Sequence, residues 1–213
     1  YRLSQNGPHI SVGDINGDRR EDFLIGGASG YAGNVFIQTN SGQFEKSIQA
    51  DLEADKNAED QESVLFDLEG DGDLDILVIS GSNEFSEKDA LLKPRLYLND
   101  GKGNLTRAAK DVIPEFLING QCIEAFDADG DKDIDLFVGG RLIGGQYAIP
   151  ASSRLLINQS GRFTDQTQKQ ASFLKDFGMV TDAIRDDVDK DGDVDLIVVG
   201  EWMEPAMLLN DGK

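Results

Sequence analysis

Nine-residue acidic stretches return four times along the chain: DINGDRRED at 14–22, DLEGDGDLD at 67–75, DADGDKDID at 127–135 and DVDKDGDVD at 187–195. Their first residues lie 53, 60 and 60 positions apart, so the fold must be assembled from units of about that length. Each stretch is followed by a short apolar run, FLIGG, ILVISG, LFVGG or LIVVG. About 20 residues later a second element returns as NVFIQTNSGQF, RLYLNDGKGNL, SRLLINQSGRF and AMLLNDGK, each reading as a strand, a tight Asn/Asp/Gly turn and another strand. A third element, HISVGD, ESVLFD, CIEAFD or VTDAIRDD, precedes each acidic stretch. One unit is therefore strand, acidic loop, strand, variable connection, strand, hairpin turn, strand. That is a four-stranded antiparallel meander with the length of one propeller blade. The expected fold is all-β: a single β-propeller segment with repeats at roughly 8–50, 60–110, 119–168 and 178–213, the last truncated, with almost no helix and with strands that alternate inward apolar and outward polar residues.

Carboxylates on alternate positions repel one another, and a hard cation offsets that repulsion. Calcium takes six to eight oxygens at about 2.3–2.6 Å, and a nine-residue turn with carboxylates at positions one, three, five and nine can wrap one ion. The third loop offers Asp127, Asp129, Asp131 and Asp135, with the backbone carbonyl of Asp133, whose side chain is expected to point away from the ion. The fourth offers Asp187, Asp189, Asp191 and Asp195 with the Asp193 carbonyl, and Gly192 permits its sharp bend. In the second, Asp67, Asp71 and Asp75 are joined by the longer Glu69, with the carbonyl of Asp73. The first has Asp14, Asn16, Asp18 and Asp22 with the Arg20 carbonyl; one carboxylate fewer should weaken it. The expectation is up to four calcium ions. Magnesium fits less well, because it keeps a rigid octahedron and several waters. An EF-hand would need a bidentate Glu at position twelve and flanking helices, whereas position twelve here is Ile25, Val78, Val138 and Val198. Four recurrences at one internal spacing also argue against a plain solvated charge run.

The 20 basic and 40 acidic residues give a net charge of −20, which opposes nucleic acid and anionic membrane surfaces and favours cations. With 213 residues, 39% of them hydrophobic, the chain can build a substantial core. No apolar run approaches the roughly 18 residues that span a bilayer, so no membrane insertion by this segment is expected. The chain starts abruptly at Tyr1 with neither an initiator Met nor a basic-then-apolar leader, as a mature or excised piece would. The single Cys122 excludes an internal disulfide and a cysteine zinc cage and reads as a small buried side chain. Catalysis finds little support. The one histidine, His9, stands in GPHIS beside no nucleophile motif. The loop carboxylates are committed to metal and make poor general acids, and the Gly doublets at 26–27, 139–140 and 144–145 lack the phosphate-loop pattern. The chain reads as a non-enzyme.

The acidic loop, the apolar strand with Gly that follows it, and the LYLNDGKGNL and LLINQSGRF hairpins resemble the FG-GAP or VCBS repeats of integrin alpha-subunit propellers. DLFVGGRLIGGQYAIPASSRLLINQSGRFTDQT and DLIVVGEWMEPAMLLNDG are similar to the branch found in secreted and surface proteins of bacteria. The resemblance covers essentially the whole chain. It implies that the loop joins the first and second strands of a blade and holds calcium on the face opposite the main ligand-binding face. It also implies an extracellular, periplasmic or cell-surface setting. The chain departs from the family in repeat number. Such propellers typically have seven blades, and four repeats ending at Lys213 suggest part of a larger propeller or an open arc, with compact four-bladed closure as the alternative.

In a meander blade the acidic loops and the third-to-fourth strand turns share one face. The variable material, SNEFSEKDALLKPR at 82–95, RLIGGQYAIPASS at 141–153 and EWMEP at 201–205, falls on the other, and loops on a rigid scaffold carry recognition. Arg141, Tyr147 and Trp202 are the side chains there most able to grip a sugar or peptide; the bland alternative is interblade packing and an exposed cation. Two functions follow. One is a calcium-stabilised binding or adhesion module with an extracellular protein or glycan ligand. The other is a non-catalytic, carbohydrate-binding accessory segment of a secreted polysaccharide-active enzyme.

Overall fold

The computed structural model describes residues 8–212. Among the described residues fifteen strands form three four-stranded sheets and one three-stranded sheet, every pairing between consecutive strands and antiparallel. The first sheet comprises β1 (Ile10–Gly13), β2 (Asp22–Ile25), β3 (Asn34–Gln38) and β4 (Phe44–Ser47). The second comprises β5 (Asp60–Phe66), β6 (Asp75–Ser80), β7 (Arg95–Asn99) and β8 (Leu105–Arg107). The third comprises β9 (Gly120–Phe126), β10 (Asp135–Gly140), β11 (Arg154–Asn158) and β12 (Phe163–Asp165). The fourth comprises β13 (Met179–Asp186), β14 (Asp195–Glu201) and β15 (Ala206–Leu208). The two α-helices, α1 (Ala50–Ala54) and α2 (Thr167–Gln170), are single turns between sheets. The chain is all-β, built from propeller-like blades, and each acidic stretch is the turn between a blade's first two strands. No helix among the described residues is long and apolar enough to cross a membrane.

The blades pack face to face. Leu24 and Val35 of the first meet Ile76, Val78 and Tyr97 of the second. Leu77, Ile79 and Leu96 on the other side of that sheet meet Ile123, Leu136, Val138 and Leu156 of the third. Cys122 and Phe137 of the third meet Val180, Leu196 and Val198 of the fourth. Each such aliphatic side chain contributes about 1.5–3 kcal/mol on burial, so the interblade layers supply most of the driving force for folding. The expected alternation of apolar and polar residues therefore fails in the inner blades: β6 and β10 are buried at all six positions. A sheet covered on both faces has no wet side, which is why ILVIS and LFVGG read as continuous apolar runs. The end blades keep one uncovered face. Val12 pairs across Phe23 with Phe36 on the first blade, and Ile184 across Ile197 with Met207 on the fourth; Val12, Ile184 and Met207 are exposed.

Polar latches supplement the apolar layers. The Arg95 guanidinium bonds the Asp60 carboxylate at 2.6 Å with both side chains buried, and the second Asp60 oxygen accepts the Gly27 N–H of the neighbouring blade at 2.7 Å.

Candidate metal centres and the opposite face

Every acidic loop places its fourth and sixth residues at left-handed φ, between 65° and 102°: Gly17 and Arg19, Gly70 and Gly72, Gly130 and Lys132, Lys190 and Gly192. Glycine adopts this region without strain, whereas each non-glycine residue there costs about 1 kcal/mol. The two bends turn peptide N–H groups inward onto the first aspartate. Asp67 accepts from Gly70 at 2.7 Å and Gly72 at 2.9 Å, and Asp127 from Gly130 at 2.8 Å and Lys132 at 3.0 Å.

The ninth residue, Asp22, Asp75, Asp135 or Asp195, is fully buried in all four loops. One carboxylate oxygen accepts the N–H of the loop's second residue, Ile15, Leu68, Ala128 or Val188, at 2.7–3.0 Å. The other accepts, at 2.7–2.9 Å, the N–H of Gln38, Asn99 or Asn158, the last residue of the third strand, or of Asn210, two residues past β15. Burial pushes Asp75 and Asp135 up to about 6 despite these donors. Asp195, on the more open fourth blade, is instead held below the usual carboxylate range, chiefly by the Asn210 N–H. Burial, joined by the charges of neighbouring aspartates, raises Asp129 and Asp189.

These aspartates converge in two loops. Asp127, Asp129 and Asp135 bring one oxygen each to within 4.8 Å of one another, as do Asp187, Asp189 and Asp195. One Asp187 oxygen is buried without any hydrogen-bond donor. Converging carboxylate oxygens with an orphaned acceptor are the kind of donor set that could hold a hard divalent cation. Asp131 and Asp191 lie outside the triads and accept the N–H groups of Asp133 and Asp193 at 2.8 and 3.0 Å. The Asp133 side chain is turned onto the β11–β12 hairpin, where it accepts the Ser160 N–H at 2.7 Å.

The first and second loops bring no such triad together among the described residues. In the second, Asp73 is pushed up to about 6, first by burial and then by the charges of Asp71, Asp67 and Glu69. In the first, the Arg20 side chain folds back onto Asp18, and its guanidinium also reaches the Gln38 carbonyl at 3.0 Å and Asn40 at 2.9 Å. A cation is thus already built into that loop. Arg20→Ala is expected to lower stability by about 1 kcal/mol in chelator, since hydrogen bonds to a charged group are lost at a part-exposed site. Part of that loss should return in millimolar calcium, as the freed Asp18 becomes available to metal; equal losses in both conditions, measured by denaturant unfolding, would show that the loop gains nothing from metal.

Sequence reasoning passed over the asparagines at or just past the ends of the third strands. The Asn99 amide donates to the Ile15 carbonyl at 2.7 Å, Asn158 to the Leu68 carbonyl at 3.1 Å and Asn210 to the Ala128 carbonyl at 2.8 Å. Each reaches the acidic loop of the preceding blade, so consecutive loops are coupled. The signal was present as the recurring Asn in LYLND, LLINQ and LLND, with Gln38 in its place in the first repeat.

Residues 14–78 and 67–138 match the family model of the FG-GAP-like repeat, and both matches begin at the first aspartate of an acidic loop. The chain belongs to the FG-GAP-like repeat family. No curated protein matches it. Among solved structures it is similar to one described as the structural basis of specific recognition of non-reducing terminal N-acetylglucosamine by an Agrocybe aegerita lectin. The identity is 23% and the TM-score 0.60, over 95% of this chain and 48% of that one. This chain therefore spans about half the length of that structure, and the likeness is one of fold.

On the face of the FG-GAP-like blades opposite the acidic loops, the three side chains singled out for ligand contact meet. Arg141 follows β10 and is only 7% exposed; its guanidinium bonds Gln121 and, at 2.7 Å, the Glu201 carboxylate. It is buried, with its guanidinium turned toward side chains of the protein. The Tyr147 hydroxyl is 3.4 Å from the other Glu201 oxygen, and the Trp202 indole N–H donates to that hydroxyl at 3.1 Å. Glu201 itself was overlooked, because a lone Glu ending a strand carries no motif.

Two further reactive groups take no part in these hydrogen bonds. His9 Nδ1 lies 2.6 Å from Glu62, whose carboxyl is pushed up to about 8, chiefly by burial. The Cys122 thiol is buried and held well above its ordinary range by that burial.

Proposed function

We propose that this chain is a calcium-stabilised, non-enzymatic binding module of a secreted or cell-surface protein, which meets a protein or glycan ligand on the face opposite its acidic loops. The observation that carries the reading is the division of labour between faces. Carboxylate triads capable of holding a cation sit at one end of the blades, while the variable loops and the exposed Tyr147 and Trp202 sit at the other. In the third loop Asp127, Asp129 and Asp135 would hold the ion, in the fourth Asp187, Asp189 and Asp195. A bound ion would neutralise carboxylates that otherwise repel, and sites of this class on extracellular modules bind at about 10⁻⁴ to 10⁻³ M, which suits a calcium-rich exterior. The apolar rows left uncovered on the first and fourth blades favour further blades beside them, within a larger propeller.

A second reading, an accessory carbohydrate-binding segment of a secreted polysaccharide-active enzyme, draws support from the fold shared with a lectin. Glycan and extracellular-protein arrays, probed with the chain in millimolar calcium and again in chelator, test both. Retention that is strong in calcium and weak in chelator supports the module; retention on glycans alone favours the second reading. No retention on any probe in calcium would defeat both.

A further inference from the structure

The patch around Trp202 is built from the third and fourth blades, anchored to the second, and held in place on each side. Glu201 ends β14 and Trp202 follows it at φ 57°, a left-handed conformation that a bulky side chain adopts only when its surroundings impose it. The next residue, Met203, packs against Gly178 and Gly200, where any Cβ would crowd its sulphur. Glycine at those two positions lets the turn close. The loop at 141–153 is closed by the Ile143–Gln146 bridge and by the Ile143 N–H to Ile149 carbonyl bond of 2.9 Å. It is tied to the second blade through the Gly145 N–H to Asn83, at 3.0 Å. Beneath, Arg141 pairs with Glu201.

The result is a row of Glu201 carboxylate, Tyr147 hydroxyl and Trp202 indole N–H. Because the indole spends its polar edge on Tyr147, its apolar faces remain open, and Trp202 is 81% exposed. An aromatic face beside a fixed carboxylate and a hydroxyl is complementary to a pyranose, whose C–H face stacks on the ring while its hydroxyls bond to the oxygens. The net charge of −20 disfavours uronic or sulfated sugars. A quaternary ammonium would instead need aromatic faces turned toward one another, and these two rings are joined at their polar groups.

We propose that Trp202, Tyr147 and Glu201 form a subsite for an uncharged pyranose, with Trp202 as the stacking platform, Glu201 as acceptor of sugar hydroxyls and Arg141 as a positioning residue under Glu201. This rests on the ligand-binding reading above and narrows it to one place and one chemical class. The strain at Trp202 belongs to that role: the position favours glycine for folding and carries an exposed indole instead.

Trp202 is the chain's one tryptophan, so its emission reports on the site. The 213-residue chain in millimolar calcium is titrated with methyl glucoside, galactoside, mannoside and N-acetylglucosaminide, with tetramethylammonium alongside, by fluorescence and calorimetry. At least one pyranoside should shift the emission saturably. Trp202→Gly should weaken that pyranoside by about tenfold or more, and Glu201→Gln by about threefold to tenfold. The melting temperature of Trp202→Gly should hold or rise, because glycine suits the left-handed φ; a purely structural tryptophan would lower it on removal. Saturation by tetramethylammonium and by no sugar overturns the subsite. So does a Trp202→Gly variant that binds the pyranoside as tightly as the parent chain, and that result leaves the broader reading standing with its site elsewhere. Silence in the titration together with blank arrays takes down both.

Discussion

Asp135→Ala is expected to destabilise the chain by about 3 kcal/mol, and to do so with chelator present. The side chain is fully buried and accepts the N–H of Ala128 at 2.7 Å and of Asn158 at 2.7 Å, tying the acidic loop to the third strand across the second. Removing it leaves two buried donors unmet, at about 1–3 kcal/mol each. Release of a buried carboxylate, one whose burial pushes it up to about 6, offsets part of that loss. Asp131→Ala is the contrast. Its carboxylate is exposed, and its hydrogen bond is a local one to Asp133, so its effect in chelator should stay within about 0.5 kcal/mol. Denaturant unfolding of the two variants in chelator separates the roles. Equal stability of the two would mean that position nine serves metal alone.

Removal of calcium is expected to lower the melting temperature of the unmodified chain by several degrees or more. Ions that bind the folded loops and not the dispersed chain stabilise by RT ln(1 + [Ca]/Kd), or about 1–3 kcal/mol per site when the metal exceeds Kd by roughly ten- to a hundredfold. For a chain of this size each kcal/mol is worth about 2–4 °C. The third and fourth loops should dominate, because their triads already converge. The first should contribute least, because Arg20 lies against Asp18. Asp189→Ala should accordingly blunt the calcium response more than Asn16→Ala. Superimposable melting curves in chelator and in millimolar calcium would leave the triads of Asp127 and Asp187 without the role assigned to them.

The blade and its acidic loop were legible in the sequence because the interactions that define them are short in range. The left-handed bends at the fourth and sixth positions, the N–H groups gathered on Asp67 or Asp127, and the return to an antiparallel partner all close within nine residues. Such a unit reads the same wherever it stands, and recurrence at nearly equal spacing made it unmistakable. The full burial of β6 and β10 could have been inferred from their unbroken apolar runs, but a strand covered on one face was the simpler expectation.

The repeat, the all-β meander and the positions of the carboxylates can all be read from the order of residues. Which of those carboxylates meet, and what lies beside them, depends on how the blades pack. Asn158 reaches the Leu68 carbonyl across 90 residues, and Asn210 the Ala128 carbonyl across 82. Arg141 and Glu201, 60 positions apart, pair under Tyr147 and Trp202. The asparagines recur in the sequence and Glu201 does not, but in neither case does a local pattern name the partner, since each contact depends on the angle and distance at which one blade settles on the next. Those are set by the summed packing of Leu77, Leu136, Phe137, Val198 and their neighbours, and no stretch of sequence encodes them alone.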